Sequence, residues 1–267
     1  MKKIGATKQP FSMVSNPALA WAGAAGGRQY TVGAQSYSFR EFKKLEDSIA
    51  CLRKLGLSHM EFCGVHFPPD KDDANFEVVK RALEQAGVSV PCYGVEGFGA
   101  DSAANQKKFE FAKALGVKVL TADPAPESFD NLDDLTAEFG VKVAIHNHGP
   151  GARYDKVADT LRALEKHSSM IGACVDTGHS IRSQEKPHEV ITALGDRVHS
   201  LHLKDWRFGG PETILGEGDM DMAAVARALH TVGFNGPIMM EYEESATDPV
   251  PDMRKGLDNW RRASSST

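Results

Sequence analysis

Four short segments of the sequence carry side chains that bind metals or transfer protons, and each follows a run of apolar residues. They read "IHNHG" at 145–149, "VDTGH" at 175–179, "HLKD" at 202–205 and "MEYE" at 240–243. Imidazole nitrogens and carboxylate oxygens together suit divalent cations. The segments contain no cysteine, which counts against a structural zinc site built on thiolates. The first chemistry that the sequence suggests is therefore that of a divalent metal.

The spacing of these residues matters because side chains alternate between the two faces of a β-strand. If the apolar runs are strands, His146, Asp176, His202 and Glu241 all point to the inward face. His199 falls on the opposite face of its strand and reads as a packing residue. We therefore predict that the four inward side chains bind one divalent metal ion, with Mn, Co, Zn, Mg or Fe all compatible.

Further acids, bases and cations are predicted at the same ends of the apolar runs. Carboxylates and imidazoles there can be tuned to transfer protons near neutral pH, and a lysine can stabilise negative charge that develops on a substrate oxygen. These candidates are Glu241, which is also a proposed metal ligand, and Glu61, His148, His66 and Lys204.

Two of these candidates have structural alternatives. Glu61 could instead be the buried partner of an arginine such as Arg40. Lys204 could instead lie along the protein and pair with Asp205 or Glu241. His66 lies in a loop beyond its strand, and it contributes only if that loop reaches over the site.

The elements that must position these residues follow a regular order. From residue 31 onward, short apolar runs alternate with longer stretches of helical spacing. Six of the runs come shortly after a glycine, as in "KLGLSHMEF" and "EFGVKVAIH", and glycine commonly ends a helix. The predicted helices lie near 41–55, 73–86, 102–115, 126–139, 153–167, 180–194, 221–232 and 250–263.

Eight strand-then-helix units within about 235 residues predict an α/β fold, a single-domain (β/α)8 TIM barrel over residues 30–263. An open doubly wound sheet would carry a GxGxxG motif after its first strand, and "VGAQSYSFR" lacks it. Barrel enzymes place their chemistry at the carboxyl ends of the strands. The four proposed ligands lie there, on the last four of the eight strands.

Composition narrows the class of partner. The 267 residues are 41% hydrophobic and 25% charged with a net charge of −5, typical of a soluble globular protein. No long run of Lys and Arg marks a nucleic-acid or anionic-membrane partner, and no apolar run is long enough to span a bilayer. The four cysteines are scattered and read as reduced packing residues. Among the partner classes considered, a small-molecule substrate is therefore the expected one. The composition does not decide whether the protein forms a homo-oligomer.

Residues 1–29 precede the first predicted strand and loosely imitate an export signal, with Lys2 and Lys3 before a mildly apolar stretch. Ser15, Asn16 and Pro17 interrupt that stretch, so we interpret the segment as a flexible arm or a degenerate leader. The expected location is the cytoplasm, or the periplasm if the segment works as a leader.

The motifs resemble those of a known family. "VGAQSYSFR", "IHNHG", "DTGH", "HLKD", "LGEGD" and "MEYE" follow one another as in the sugar phosphate isomerase and epimerase superfamily with the xylose isomerase-like barrel, and the likeness runs from about residue 31 to 262. The resemblance implies metal ligands at His146, Asp176, His202 and Glu241. It also implies a contact between His179 and a substrate oxygen.

The same resemblance implies a sugar isomerase or epimerase that works through an enediolate. Because the sequence has no glycine-rich phosphate-binding loop with a lysine, we expect a small, unphosphorylated sugar or polyol as the substrate. One departure opens an alternative, because many relatives carry glutamate where this chain has His146, and that glutamate is one of two proton-transferring carboxylates in the epimerases. With only Glu241 retained, the alternative is a metal-dependent keto-sugar or inosose dehydratase, or a keto-glycoside lyase. A non-catalytic or nucleic-acid-processing barrel is the third hypothesis.

Overall fold

A computed structural model describes residues 30–265, and these form a barrel of eight parallel strands with helices between them. The first seven barrel strands are β1 (Thr31–Gln35), β2 (Met60–Glu61), β3 (Cys92–Phe98), β4 (Val119–Pro124), β5 (Lys142–His146), β6 (Ile171–Asp176) and β7 (Val198–Leu203). Two short strands, β8 (Asp205–Trp206) and β9 (Glu212–Thr213), then form a separate hairpin. The eighth barrel strand is β10 (Pro237–Met240). The barrel order is β2-β1-β10-β7-β6-β5-β4-β3. Parallel bridges from His59 to Ser89 and from Phe62 to Tyr93 join its two ends, so the sheet nearly closes. The predicted fold class is confirmed.

Nine α-helices are described between residues 30 and 265. They are α1 (Leu45–Lys54), α2 (Phe76–Ala86), α3 (Ser102–Leu115), α4 (Phe129–Phe139), α5 (Val157–Leu164), α6 (Thr177–Arg182), α7 (Pro187–Leu194), α8 (Met222–Thr231) and α9 (Val250–Ser264). As the glycine pattern predicts, α4 ends where Gly140 adopts a left-handed conformation with φ of 65°. None of these helices is long and apolar enough to cross a membrane.

The barrel interior explains why the proposed ligands share a face. A small buried cluster fills it, made of Cys92, Val119, Ala144, Cys174 and Met239. Three of these residues lie two positions before a proposed ligand, since Ala144 precedes His146, Cys174 precedes Asp176 and Met239 precedes Glu241. Because residues two apart share a strand face, the ligands stand directly above this apolar layer. The larger hydrophobic core lies between the strands and the helices.

The predicted helix at 180–194 is wrong in its bounds, because the structure contains two helices there. The first, α6, begins directly after β6. Gln184 then has a φ of 60°, and Lys186 is extended, with φ −85° and ψ 121°. Pro187 disfavours the helical conformation in the residue before it, so the chain breaks here and restarts as α7.

Two further differences concern the loops. The hairpin β8–β9 was not predicted, since its strands have two residues each and no alternating apolar pattern. Several helices also begin three to four residues later than predicted; α1 begins at Leu45 and α5 at Val157. The segment 1–29, interpreted above as an arm or a degenerate leader, lies outside the described residues.

The close approach of β1 to its neighbours predicts a strong effect at Gly33. A Cβ at this position would lie 2.4 Å from the backbone oxygen of His59 and 2.7 Å from the sulfur of Met239. We expect Gly33→Ala to lower the free energy of unfolding by about 1–3 kcal/mol, the usual cost of overpacking. Gly97→Ala is the control, because a Cβ at Gly97 meets nothing within 4 Å. Equal stability of the two variants in urea unfolding would contradict the description of this contact.

Candidate metal centre

The structure brings the four proposed metal ligands together at the carboxyl end of the barrel. One ligand atom from each of His146, Asp176, His202 and Glu241 lies within 4.8 Å of all the others. Nε2 of His146 lies 3.1 Å from Nδ1 of His202 and 3.5 Å from Oδ2 of Asp176, and Nδ1 of His202 lies 3.5 Å from Oε2 of Glu241. All four side chains are buried, with Glu241 the most exposed at 8%. Two imidazoles and two carboxylates thus converge on one point.

Asp176 shows why this cluster fits a cation. Its Oδ1 accepts a hydrogen bond from the backbone N–H of His179 at 2.7 Å, which caps the first turn of α6. Its Oδ2 is buried, has no hydrogen-bond partner, and faces His146 and His202. A buried carboxylate oxygen without a donor is costly. A divalent metal bound by the four side chains would satisfy that oxygen, so the residues present fit such an ion.

Asn147 fixes the backbone of Asp176 from the neighbouring strand. Its side-chain oxygen accepts the N–H of Asp176 at 2.8 Å, and its Nδ2 donates to the carbonyl of Asp176 at 3.0 Å. Strand alternation puts Asn147 on the face opposite His146, so the alternation gives no reason to expect it at the site. The sequence feature that could have identified Asn147 is its polar side chain at a position where a helix layer should cover the strand.

Glu61 lies beneath the cluster and holds His202. Its Oε2 lies 2.9 Å from Nε2 of His202, the nitrogen that points away from the other ligands. A carboxylate behind a ligating histidine orients the ring and increases its basicity. Glu61 is fully buried and does not line the cavity, so the structure does not bring it to a substrate as an acid or base. The alternative partner Arg40 is also wrong, since Arg40 bonds the carbonyl oxygens of Tyr37 and Glu243.

The two ligand imidazoles differ in protonation. Burial lowers the pKa of His146 to about 3, so this ring is neutral and offers a lone pair. Burial alone would also lower the pKa of His202, but the nearby Cys174 thiol and Glu61 carboxylate outweigh it and raise that pKa well above its ordinary value. Metal binding to Nδ1 of His202 must therefore displace a proton.

Lys204 supports Glu241 from inside the protein. Its Nζ lies 3.5 Å from Oε2 of Glu241 and also pairs with Glu243. Burial would lower the pKa of Lys204, but the carboxylates of Glu241 and Asp176 outweigh it and raise the pKa. Lys204 is 1% exposed and does not line the cavity. Its position therefore matches the alternative in which it pairs with Glu241, and it does not reach a substrate oxygen. It holds a ligand in place as a charged ammonium group.

A cavity of about 650 Å³ opens above the cluster and admits a small molecule. His148 and His179 line it beside His146, and Trp206 and Glu241 line it too. Nδ1 of His148 lies 3.4 Å from Nδ1 of His146. Because a ligating histidine commonly donates its second ring N–H to a neighbour, His148 is placed to accept that hydrogen bond. Its Nε2 is then the nitrogen left for the cavity.

The structure does not bring His66 to the site, which corrects that prediction. Its Nε2 is hydrogen-bonded to Ser48 of α1 at 2.9 Å, and its ring packs on Phe62. The loop after β2 turns back towards α1, whereas a site role required it to reach over the barrel mouth. Arg182 lines the cavity instead, and sequence reasoning missed it because it lies within a predicted helix.

The end of β7 gives the "HLKD" motif three separate tasks. His202 belongs to the buried cluster of proposed ligands, and Lys204 pairs with Glu241. Asp205 accepts backbone N–H groups from Gly216, Gly218 and Met220 at 2.9–3.1 Å. That carboxylate therefore pins the "LGEGD" loop that leads into α8.

The family of the chain follows from this sequence and fold. A family model described as the xylose isomerase-like TIM barrel matches residues 49–263. The chain belongs to this family. Among its relatives, an inosose dehydratase of Lactiplantibacillus plantarum is 25% identical over 69% of this chain and 77% of that protein.

Two solved structures share the barrel. The zinc-bound IolI protein has a TM-score of 0.73 at 16% identity, covering 88% of this chain and 98% of that one. An L-ribulose 3-epimerase has a TM-score of 0.73 at 16% identity, covering 89% of this chain and 95% of that one. At these identities the likeness shows the fold alone.

The buried cluster predicts that divalent metal stabilises the folded protein. Added Mn²⁺ or Zn²⁺ at about 100 times its dissociation constant should contribute about 2.7 kcal/mol and raise the thermal midpoint of the metal-stripped protein. His202→Ala should abolish that increase. His199→Gln is the control, because His199 lies on the same strand but bonds the carbonyl of Ser169 on the other face. An increase that persists in His202→Ala would contradict the proposed ligand set.

Metal affinity should also depend on pH through His202. The pKa values of Asp176 and Glu241 are lowered and that of His146 is about 3, so these groups stay deprotonated near neutral pH. The raised pKa of His202 means that the metal competes with one proton. We expect Mn²⁺ to bind up to about tenfold more tightly per pH unit between about pH 6 and pH 8, measured by calorimetry.

Glu61→Gln tests whether the raised pKa of His202 causes this pH dependence, since it removes a negative charge that raises that pKa. The pH dependence should become weaker in that variant. An affinity that does not change with pH in the unmodified protein would contradict the assignment.

Proposed function

We propose that the protein is a divalent-metal-dependent dehydratase, a carbon–oxygen lyase that removes water from a keto-sugar or from a cyclic polyol with one ketone. The observation that carries the proposal is the unequal set of groups around the cluster. Imidazoles of His146, His148 and His179 line the side formed by β5 and α6, and the carboxylate of Glu241 faces them from the end of β10. The other two cavity carboxylates are paired with lysines, Glu96 with Lys108 and Glu243 with Lys204.

This inequality favours elimination over epimerisation. Epimerisation at one carbon needs two groups that exchange a proton from opposite faces, and two carboxylates suit that task. Elimination needs a base for the proton on carbon and an acid for the departing oxygen, two different roles. A carboxylate opposite a half-buried imidazole matches the second requirement. The name of the relative from L. plantarum supports the same class of reaction.

The residues can divide the work as follows. A divalent metal held by His146, Asp176, His202 and Glu241 would polarise the substrate ketone and acidify the adjacent C–H. Glu241 faces His202 and Lys204 through Oε2, so its Oε1 takes the proton from carbon. The electron pair of the broken C–H bond forms the new C=C bond as the neighbouring C–O bond breaks. His148 donates a proton to the departing oxygen, which leaves as water.

The charges in the cavity favour an unphosphorylated substrate. Among the described residues that line it, Arg182 is the only lysine or arginine. Its guanidinium already donates to His179 and stacks on Trp206. A phosphate would therefore meet carboxylates without a free cation, whereas a neutral polyol can use the imidazoles as hydrogen-bond partners.

A sugar isomerase or epimerase, our first expectation from the sequence, is the second candidate. The observation that favours it is that Glu241 and His148 both line the cavity, so one can remove a proton from the substrate and the other can return it. The L-ribulose 3-epimerase has the same fold, which permits this reaction without arguing for it. The two candidates differ in whether water is lost.

One incubation separates these candidates. The metal-loaded protein is mixed with an inosose, a cyclic polyol ketone, in D₂O, and the products are followed by ultraviolet absorbance and mass spectrometry. A dehydratase should produce an enone absorbance together with loss of the mass of one water. Deuterium exchange into a product that retains its oxygen atoms would overturn the proposal in favour of isomerisation.

His148→Gln tests the assignment of the acid within the same assay. Loss of the proton donor should lower kcat by about 10²–10⁴-fold, the range for one acid or base, while Mn²⁺ at saturation still stabilises the protein. His199→Gln should leave kcat unchanged. A His148→Gln variant with undiminished kcat would rule out this residue as the donor.

A further inference from the structure

We propose that Arg182 is a positioning residue that fixes His179 in the tautomer with its proton on Nε2, so that His179 donates a hydrogen bond to a substrate oxygen and does not act as a base. The consequence for catalysis rests on the proposed function. The tautomer itself is a property of the protein alone.

The tautomer follows from the contact between the two side chains. Nη1 of Arg182 lies 2.9 Å from Nδ1 of His179, one turn away on α6. A guanidinium has only donors and keeps its charge in proteins, so Arg182 must donate in this bond. Nδ1 of His179 is therefore the acceptor and carries no proton. A neutral imidazole has one N–H, which must then be on Nε2.

The position of His179 directs that N–H towards the metal centre. Its Nε2 lies 4.0 Å from the free Oδ2 of Asp176, and its ring lies perpendicular to that of His146 with centroids 5.7 Å apart. His179 also lines the cavity. A substrate oxygen bound beside Asp176 would thus meet a donor already oriented for negative charge, which is the arrangement that stabilises a transition state without reorganisation.

Arg182 is itself held by contacts from the two neighbouring loops. Its guanidinium lies over the ring of Trp206 at 4.8 Å from the centroid. It also approaches the carbonyl of His148 at 3.5 Å. In addition, it packs against Gly149, where a Cβ would come within 3.5 Å of Cζ. These contacts leave the guanidinium little freedom to release His179.

A purely structural role explains these contacts less well. An arginine that stabilises the fold by charge would be placed opposite a carboxylate. Within residues 30–265, Arg182 forms no ion pair. Other arginines without one, such as Arg40 and Arg197, bond backbone carbonyl oxygens, whereas Arg182 bonds the side chain of His179. Its partners are an imidazole nitrogen, a carbonyl oxygen and an aromatic ring, so the bond to His179 is its specific contact.

The test reads the tautomer directly. The zinc-loaded protein is labelled with ¹⁵N-histidine, and long-range ¹H–¹⁵N spectra show which nitrogen of His179 is protonated, with His179→Gln used to assign the signals. We expect an unprotonated Nδ1 and a protonated Nε2 in the unmodified protein. A protonated Nδ1 would overturn the proposal.

Two variants then connect the tautomer to catalysis. Arg182→Met should move the ¹⁵N signals of His179 towards a mixture of tautomers and lower kcat by about tenfold or more, below the about 10²–10³-fold cost of losing a donor outright. Zinc affinity should stay unchanged. Arg207→Met removes the same charge from an exposed position next to Trp206 and should change neither reading. Unshifted His179 signals in Arg182→Met would overturn the role of Arg182.

Failure of the proposed function gives a different result. If neither an inosose nor a keto-sugar is dehydrated by any form of the protein, the dehydratase assignment is wrong, yet the ¹⁵N signals still decide the tautomer.

Discussion

The carboxylate of Asp176 is fixed on one oxygen and free on the other, and the site is built around that difference. Oδ1 accepts the hydrogen bond that caps the first turn of α6. The side chain of Asn147 bonds both the backbone N–H and the carbonyl of Asp176. Oδ2 is left buried without a donor beside two imidazoles. Because an isolated charge in such a place is costly, the cluster is best explained as a site for a cation that completes it.

The surrounding residues set the charge of Glu241 and His146 as metal binding requires, and they hold the ring of His202 in place. Glu61 holds His202 from below, Lys204 keeps Glu241 ionised, and burial keeps His146 neutral. These supporting groups come from β2, β5 and β7, so closure of the barrel is a condition for the site. The apolar layer beneath, from Cys92 to Met239, excludes water and gives the cluster a rigid base.

The sequence predicts this site well where strand alternation decides the answer. The period of two placed His146, Asp176, His202 and Glu241 on one face, and the glycines after the helices located the strands. It predicts poorly what depends on contacts across the barrel. Glu61 contacts His202, 141 positions away, and the loop of His66 turns towards α1 rather than the mouth. The hairpin β8–β9 lacks a periodic signal. Arg182 lies within a predicted helix, and its role depends on contacts with Trp206 and His148 that form only in the folded chain.

The central claim is that these four side chains hold one divalent metal ion. Crystals grown with Mn²⁺ or Zn²⁺ and measured at the absorption edge of that metal test it most directly. We expect one anomalous peak at the carboxyl end of the barrel, with Zn²⁺ at about 2.0–2.2 Å from one atom each of His146, Asp176, His202 and Glu241. No peak at this position, or a peak held by other side chains, would contradict it.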